Sequence, residues 1–179
     1  IMSFCLIILA GGNSHRFRSK VGKPYQKIAG KSLIEINVIK ARKFKEIKKI
    51  ILVYNKKDTK LIKSLKLKNV KLITGGNSRQ QSTFNALNHL KNQKEFSKVL
   101  IHDVARPNFS TKLFGSIIKK MKNNRAVVPK IGVQDAIKQI IDSSKAEYII
   151  GRKRDNLFLT QTPQAFNLKE IYHLHKSNT

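Results

Sequence analysis

The chain has 179 residues with 40% hydrophobic content, enough for one substantial core and short for two. No apolar run approaches the ~18 residues of a membrane span, and a single cysteine, Cys5, excludes an internal disulfide and reads as a buried, inert thiol. The formal net charge of +27 raises nucleic acid as a partner, but the lysines spread over nearly every expected surface helix, Trp is absent and few aromatics interleave as a stacking platform requires, so nucleic acid is disfavoured. Such a charge should instead draw nucleotides and pyrophosphate toward the protein. The start, Ile1-Met2-Ser3, has no basic region leading into a signal-like apolar segment, so the reading is cytoplasmic, with a plastid location not favoured.

Phe4–Leu9 is a short uniform apolar run and predicts a strand buried on both faces. Ser32–Phe44 opens with Ser32-Leu33-Ile34-Glu35, a capping-box pattern, and carries apolar residues at helical spacing. There follow a strand over Lys49–Tyr54, a helix over Asp58–Leu65, a strand over Val70–Thr74 and a helix over Ser78–Leu90. Strand Val99–His102, helix Thr111–Met121 and strand Ala126–Pro129 continue the alternation. This order implies right-handed crossovers and an α/β, doubly wound, mostly parallel sheet, with the ligand outside the carboxyl ends of the strands. After Gly132 the pattern changes. Ala136–Ile141, a polar turn at 142–145 and Glu147–Ile150 read as a hairpin, either an edge addition or an arm reaching a partner chain. Leu168–Lys176 reads as a helix, after which the sequence stops without a closing strand. No repeat or linker divides the chain, so residues 1–179 are read as one domain with an arm at about 133–155.

Four polar clusters fall where this architecture places a site. The first is Leu9-Ala10-Gly11-Gly12-Asn13-Ser14-His15-Arg16-Phe17 with Lys23 beyond it. A Gly pair at a strand end permits a sharp turn and close backbone approach to a ligand, and Arg16 and Lys23 add two cations, which together describe a polyphosphate site. An ordinary turn is the competing reading of the Gly pair. It is not a dinucleotide fingerprint, because Ser14 stands at the third residue after Gly11 and no acid closes the second strand at Leu52-Val53-Tyr54-Asn55. Gly30-Lys31-Ser32 is no P-loop, since the earlier glycine falls at Tyr25 and no strand precedes it.

The second cluster, Thr74-Gly75-Gly76-Asn77-Ser78-Arg79-Gln80-Gln81-Ser82, is a glycine turn opening a helix, either an anion or base-edge site or simply a well-capped start. The third is His102-Asp103-Val104-Ala105-Arg106-Pro107. An acid at the end of a buried strand needs a partner, either Arg106 or Mg²⁺, which favours one or two carboxylates plus phosphates. The fourth is Arg152-Lys153-Arg154 followed by Gln161-Thr162-Pro163-Gln164, where the basic triplet is ordinarily solvated surface. The five histidines (15, 89, 102, 173 and 175) lack zinc-ligand spacing and no G-x-S-x-G elbow occurs, which leaves electrostatic catalysis on phosphate.

Taken in order, Leu9–Arg16, Lys23–Tyr25, Gly75–Ser82, His102–Pro107, Asp135, Arg154 and Thr162–Phe166 resemble the 2-C-methyl-D-erythritol 4-phosphate cytidylyltransferase family over nearly the whole chain. The glycine turn is common to many nucleotidyltransferases; the His-Asp-x-Ala-Arg-Pro and Thr-Pro-Gln-x-Phe blocks are far more specific. The resemblance implies a Rossmann-like sheet with a protruding β-arm that hooks a second subunit, giving a homodimer. It implies transfer of cytidylyl from CTP to a polyol phosphate in isoprenoid-precursor synthesis. Arg16 and Lys23 then match the residues that stabilise the transition state, and Arg154 the one that orients methylerythritol phosphate. Ala10, Gly11, Gly12, Gly76, Asn77 and Ser82 would hold the nucleotide, while Asp103, Arg106, Asp135 and Thr162 lie on the substrate side. Asp103 would also meet Mg²⁺ or another divalent cation.

Three departures from the family pattern stand out. Gly22-Lys23-Pro24-Tyr25 replaces the usual Pro-Lys-Gln-Tyr. Ala136 follows Asp135 where a threonine is common, removing a hydroxyl from the phosphate grip. The family's last strand, with its Asn-Ile-Lys block, is not reached by Thr179, so the expectation is a truncated domain and a possible fused downstream domain. Ribitol 5-phosphate cytidylyltransferase is the alternative within the class. A catalytically silent basic binding module is the alternative outside it.

Overall fold

The chain alternates strand and helix as its hydrophobic pattern requires. The computed structural model describes residues 3–12, 21–140 and 149–177. In chain order these form β1 (Phe4–Ala10), the short pair β2 (Lys27–Ile28) and β3 (Lys31–Ser32), α1 (Leu33–Ala41), β4 (Ile47–Tyr54), α2 (Thr59–Ser64), β5 (Val70–Thr74), α3 (Arg79–Leu90) and β6 (Lys98–Asp103). There follow α4 (Thr111–Lys120), β7 (Ala126–Val127), β8 (Lys130–Gly132), β9 (Ile137–Ile140), β10 (Ile149–Arg152), β11 (Phe158–Thr160), β12 (Gln164–Asn167) and α5 (Leu168–Lys176).

Six strands make the main sheet in the order β5-β4-β1-β6-β12-β7. β1 runs parallel to β4 and β6, with Leu9 opposite both Val53 and Asp103, and β4 runs parallel to β5. All seven residues of β1 are buried because both sheet faces are covered. Phe4, Leu6, Ile8 and Ala10 pack on one side with Ile34 and Val38 of α1 and Phe114, Ile117 and Ile118 of α4. Cys5, Ile7 and Leu9 pack on the other with Ala86, Leu87 and Leu90 of α3 and Leu168 of α5. The period of two along β1 thus separates the two helical layers, the doubly wound arrangement expected. Burial pushes the Cys5 thiol up, away from the reactive thiolate. Among the described residues no helix is long and apolar enough to cross a membrane.

Two departures from the sequence reading have local causes. No strand is predicted over Gln164–Asn167, yet β12 runs antiparallel between β6 and β7. Its Ala165 joins one core and Phe166 the other, so four residues suffice to fill the slot before α5 begins. The strand expected over Ala126–Pro129 ends at Val127, because Pro129 has no N–H for a ladder. The Pro129 carbonyl accepts from the Gln161 amide instead, at 2.9 Å.

The expected hairpin is present as β9 and β10, with Ile140 opposite Ile149 and Ile137 opposite Arg152. Its turn lies outside the described residues. A second antiparallel ribbon, β8 with β11, was not expected. It carries exposed apolar side chains, Ile131, Phe158 and Leu159.

The capping box of α1 forms as read. The Ser32 hydroxyl accepts from the Glu35 amide (3.2 Å) and the Ser32 amide donates to the Glu35 carboxylate (2.8 Å). These bonds hold the Glu35 carboxyl below its ordinary range. A depressed folded-state value contributes stability above the unfolded value and loses it as pH falls through the folded one. Ser32→Ala should therefore cost about 1 kcal/mol at neutral pH. The urea stability gap between the wild type and Glu35→Gln should be widest at pH 7 and shrink below the carboxylate range; a gap unchanged at pH 3 would contradict an ionised cap.

Candidate active site

Because β1, β4, β5 and β6 are parallel, their carboxyl ends (Ala10, Tyr54, Thr74 and Asp103) meet at one edge of the sheet. A cleft of about 680 Å³ opens there, between the turn at Gly11-Gly12, the turn at Gly75-Gly76 leading into α3, and Asp103. Six residues expected from the sequence are brought together in its wall: Gly11, Gly12, Gly76, Asn77, Ser82 and Asp103. Ala10 ends β1 just behind them and is buried.

The glycines have distinct reasons to be there. A Cβ on Gly75 would lie 2.8 Å from Ser82 Oγ, and one on Gly76 would lie 2.1 Å from Gln81 Cγ. The first turn of α3 therefore packs directly on bare backbone, and the buried Ser82 hydroxyl accepts the Gly76 amide at 3.1 Å. Gly12 differs, since a Cβ there would meet no heavy atom within 4 Å and would project into open space. The other turn is tied down by Asn55, whose amide donates to the Gly11 carbonyl at 3.3 Å. Ser78 caps α3 by accepting from the Gln81 amide at 3.0 Å. The cleft thus offers bare backbone and a 12-residue helix start, both favourable to an anion.

Asp103 supplies the one carboxylate of the described lining. The sequence offered Arg106 as its partner, but the closer one is Arg79, with Nη2 at 3.0 Å, against 3.7 Å for Arg106 Nε. Arg106 also donates to the Gln161 side-chain carbonyl. These pairs are partly solvated and add little stability, so their consequence is orientation of charge. Among the described residues no group of three His, Cys, Asp or Glu forms a metal cage. A lone carboxylate facing an anion site fits Mg²⁺ carried in by phosphates, which needs only one or two protein carboxylates.

Behind Asp103 lies a buried pair. His102 Nε2 faces the Arg106 carbonyl at 3.2 Å and Nδ1 meets the Thr162 hydroxyl at 3.0 Å. Burial pushes the imidazole down to about 4, so it is neutral at physiological pH. Thr162 Oγ1 also accepts the Asp103 amide at 3.2 Å. The Thr162 hydroxyl, expected on the substrate side, is turned inward and engaged by the protein.

The remaining expected residues stand outside the described lining of the cleft. Lys23 is exposed at the start of a short 3₁₀ turn, Lys23–Tyr25, anchored by the buried Pro24 and Tyr25. Pro24 therefore fits the turn that presents the lysine, its fixed φ suiting the first helical positions. Arg154 donates to the Gln134 carbonyl at 2.5 Å, beside the exposed Asp135 and Ala136. Arg16 lies outside the described residues. The sequence reading left Arg79, Asn55 and Lys56 without roles, although all three line the cleft. The available signals were position: Arg79 opens α3 immediately after the glycine turn, and Asn55 and Lys56 follow the carboxyl end of β4.

Residues 4–179 match the family of 2-C-methyl-D-erythritol 4-phosphate cytidylyltransferases, IspD. The chain belongs to this family. It is 44% identical over 178 residues to the bifunctional enzyme IspD/IspF of Pelagibacter ubique (strain HTCC1062), covering 99% of this chain and 47% of that one. It is 34% identical over 177 residues to the bifunctional ribulose 5-phosphate reductase/CDP-ribitol pyrophosphorylase Bcs1 of Haemophilus influenzae, covering 94% of this chain and 37% of that one. The crystal structure of 4-diphosphocytidyl-2C-methyl-D-erythritol synthase from Anaerococcus prevotii DSM 20548 superposes with a TM-score of 0.80 at 33% identity, covering 99% of this chain and 75% of that one. The chain thus spans less than half the length of these two bifunctional relatives and three quarters of the solved IspD structure. The IspD fold is the Rossmann-like α/β arrangement described above.

The contrast between two glycines is testable by thermal and urea melts. Gly76→Ala should destabilise by about 1–3 kcal/mol, as overpacking does, while Gly12→Ala should stay within about 0.5 kcal/mol of the wild type. Equal losses would mean that Gly12 is also packed against protein.

Proposed function

We propose that this protein joins CTP to 2-C-methyl-D-erythritol 4-phosphate, giving CDP-methylerythritol and pyrophosphate in isoprenoid-precursor synthesis. The observation that carries this reading is the cleft, in which bare glycine backbone, the start of α3, Lys56, Arg79 and one carboxylate converge in a chain of this family. A phosphate oxygen of methylerythritol phosphate attacks the α-phosphorus of CTP. The bond from that phosphorus to the bridging oxygen of the β-phosphate breaks, and pyrophosphate leaves. No protein nucleophile is required, because a phosphate monoester is already ionised at neutral pH. Positioning and stabilisation of developing charge then supply the catalysis.

In this reading Ala10, Gly11, Gly12, Gly76, Asn77 and Ser82 hold cytosine, ribose and phosphates. Arg16 and Lys23 stabilise charge on the α-phosphate, and Arg106, Asp135 and Arg154 serve the polyol-phosphate side, while the inward-turned Thr162 contacts only protein there. Asp103 would hold Mg²⁺, which neutralises phosphate charge when bound. The exposed apolar side chains Ile131, Phe158 and Leu159, on the ribbon beside the arm at about 133–155, support an arm-mediated homodimer, and the bifunctional relatives support a longer protein with a fused downstream domain. CTP and sugar phosphates are cytoplasmic metabolites, so we place the protein there. Ribitol 5-phosphate is the alternative acceptor, favoured by the Haemophilus relative.

Pyrophosphate release from CTP and Mg²⁺ should require methylerythritol phosphate; release with ribitol 5-phosphate alone would reassign the substrate. Arg16→Ala and Lys23→Ala should each lower kcat by 10²–10³-fold, about 3 kcal/mol, with smaller effects on CTP binding. Lys56→Ala should raise the KM for CTP and leave kcat nearly unchanged, the pattern of uniform binding. A kcat loss as large as that of Lys23→Ala would instead put Lys56 at the reacting phosphate.

A further inference from the structure

We propose that His102 is a positioning residue that uses both ring nitrogens to hold the turn Asp103–Arg106, and so sets the angle at which the Asp103 carboxylate enters the cleft. The inference rests on the cytidylyl-transfer reading of that cleft. His102 is 1% exposed and Thr162 is 6% exposed, so neither reaches solvent freely.

For a neutral imidazole, the direction of every hydrogen bond follows from the two ends of the chain. The Arg106 carbonyl only accepts, so His102 Nε2 carries the proton and donates. A neutral ring then has a lone pair at Nδ1, which accepts the Thr162 hydroxyl. The Asp103 amide only donates, and it donates to the same Thr162 oxygen. One imidazole therefore grips both ends of the turn, Arg106 directly and Asp103 through a hydroxyl. The turn itself is closed by the Arg106 amide on the Asp103 carbonyl at 3.0 Å, and the Val104 amide binds the Leu9 carbonyl at 3.1 Å. Any rotation of the turn would thus shift Asp103 relative to the glycines that follow Leu9.

The ring itself has little room to move. It packs nearly perpendicular to the Phe109 ring at a centroid distance of 4.7 Å. Lys40 of α1 fixes the following loop by donating to the carbonyls of Pro107 (2.5 Å) and Phe109 (3.2 Å). The stable core therefore reaches the cleft carboxylate through His102, and the Thr162 hydroxyl has the work of joining two segments 59 residues apart.

The test uses the full-length protein and two kinds of readout. At pH 7, ¹⁵N–¹H multiple-bond NMR of the wild type should show His102 as the Nε2–H tautomer with Nδ1 accepting, and Thr162→Val should perturb the Nδ1 resonance. In steady state, Thr162→Val should lower kcat about 10- to 100-fold, the usual cost of losing an orienting partner, with the KM for CTP changed less than about threefold. Thr162→Ser, which keeps the hydroxyl, should recover kcat to within about threefold of the wild type. His102→Phe should match Thr162→Val, and the double variant should be no worse than either alone; if His102→Phe fails to fold, the threonine pair carries the test. An Nδ1–H tautomer, a wild-type kcat in Thr162→Val, or a loss that serine does not restore would overturn the proposal. A wild type that shows the tautomer yet releases no pyrophosphate would sink the activity reading alone.

Discussion

The parallel register of β1 with its two neighbours is the constraint on which the site depends. Leu9 lies opposite Val53 on one side and Asp103 on the other, so the residues that follow each strand emerge at the same level. Gly11-Gly12, Asn55-Lys56 and the Asp103–Arg106 turn become neighbours without any long-range side-chain contact being needed to gather them. That register is held by the burial of every residue of β1 between two helical layers, where a slip by one would exchange the Phe4-Leu6-Ile8 face for the Cys5-Ile7-Leu9 face. The exchange would expose nothing to water, but each face is shaped to different helices, and overpacking penalises the swap.

Charge at the site is organised against a strongly basic background. With a formal net charge of +27, further cations are not what distinguishes the cleft; the placement of the single carboxylate in its described lining is. Asp103 engages Arg79 from α3 and Arg106 from its own turn, so two guanidinium groups are held at fixed angles by one acid. A triphosphate entering with Mg²⁺ would meet an arrangement already oriented, and preorganised dipoles and charges act more strongly than ones that must rearrange. Long-range attraction brings the substrate in, and the local geometry decides what happens to it.

Much of this was legible in the residues. The uniform run Phe4–Leu9, the capping box at Ser32, the glycine turn before α3 and the acid at the end of β6 each carry a local signal, and each is found where periodicity placed it. The elements missed lacked such a signal. β12 is four residues long and owes its strand conformation to the gap between β6 and β7, a tertiary cause that no window of sequence contains. The β8–β11 ribbon pairs segments separated by about thirty residues, so only the fold makes it visible. Arg79 follows the glycine turn without a signal of its own, and its pairing with Asp103 follows from how α3 leaves Gly76. His102 looked like one more histidine without ligand spacing, and only its two partners reveal what it does.

The two halves of the proposed reaction are built differently, and the difference has a physical origin. The nucleotide half sits on the ends of strands paired within the main sheet and on a helix start. The acceptor half, with Asp135 and Arg154, sits in the links between two narrow two-stranded ribbons that are marginal on their own. Ile131, Phe158 and Leu159 are all more than half exposed on such a ribbon, an apolar surface that calls for cover. A second copy of the chain laid against that surface would bury it and stiffen the ribbon into which the Arg154 turn leads. In the dimer proposed above, the contact that hides apolar surface would also fix the cation meant to orient the acceptor, so a loosened arm should cost turnover before it costs nucleotide affinity.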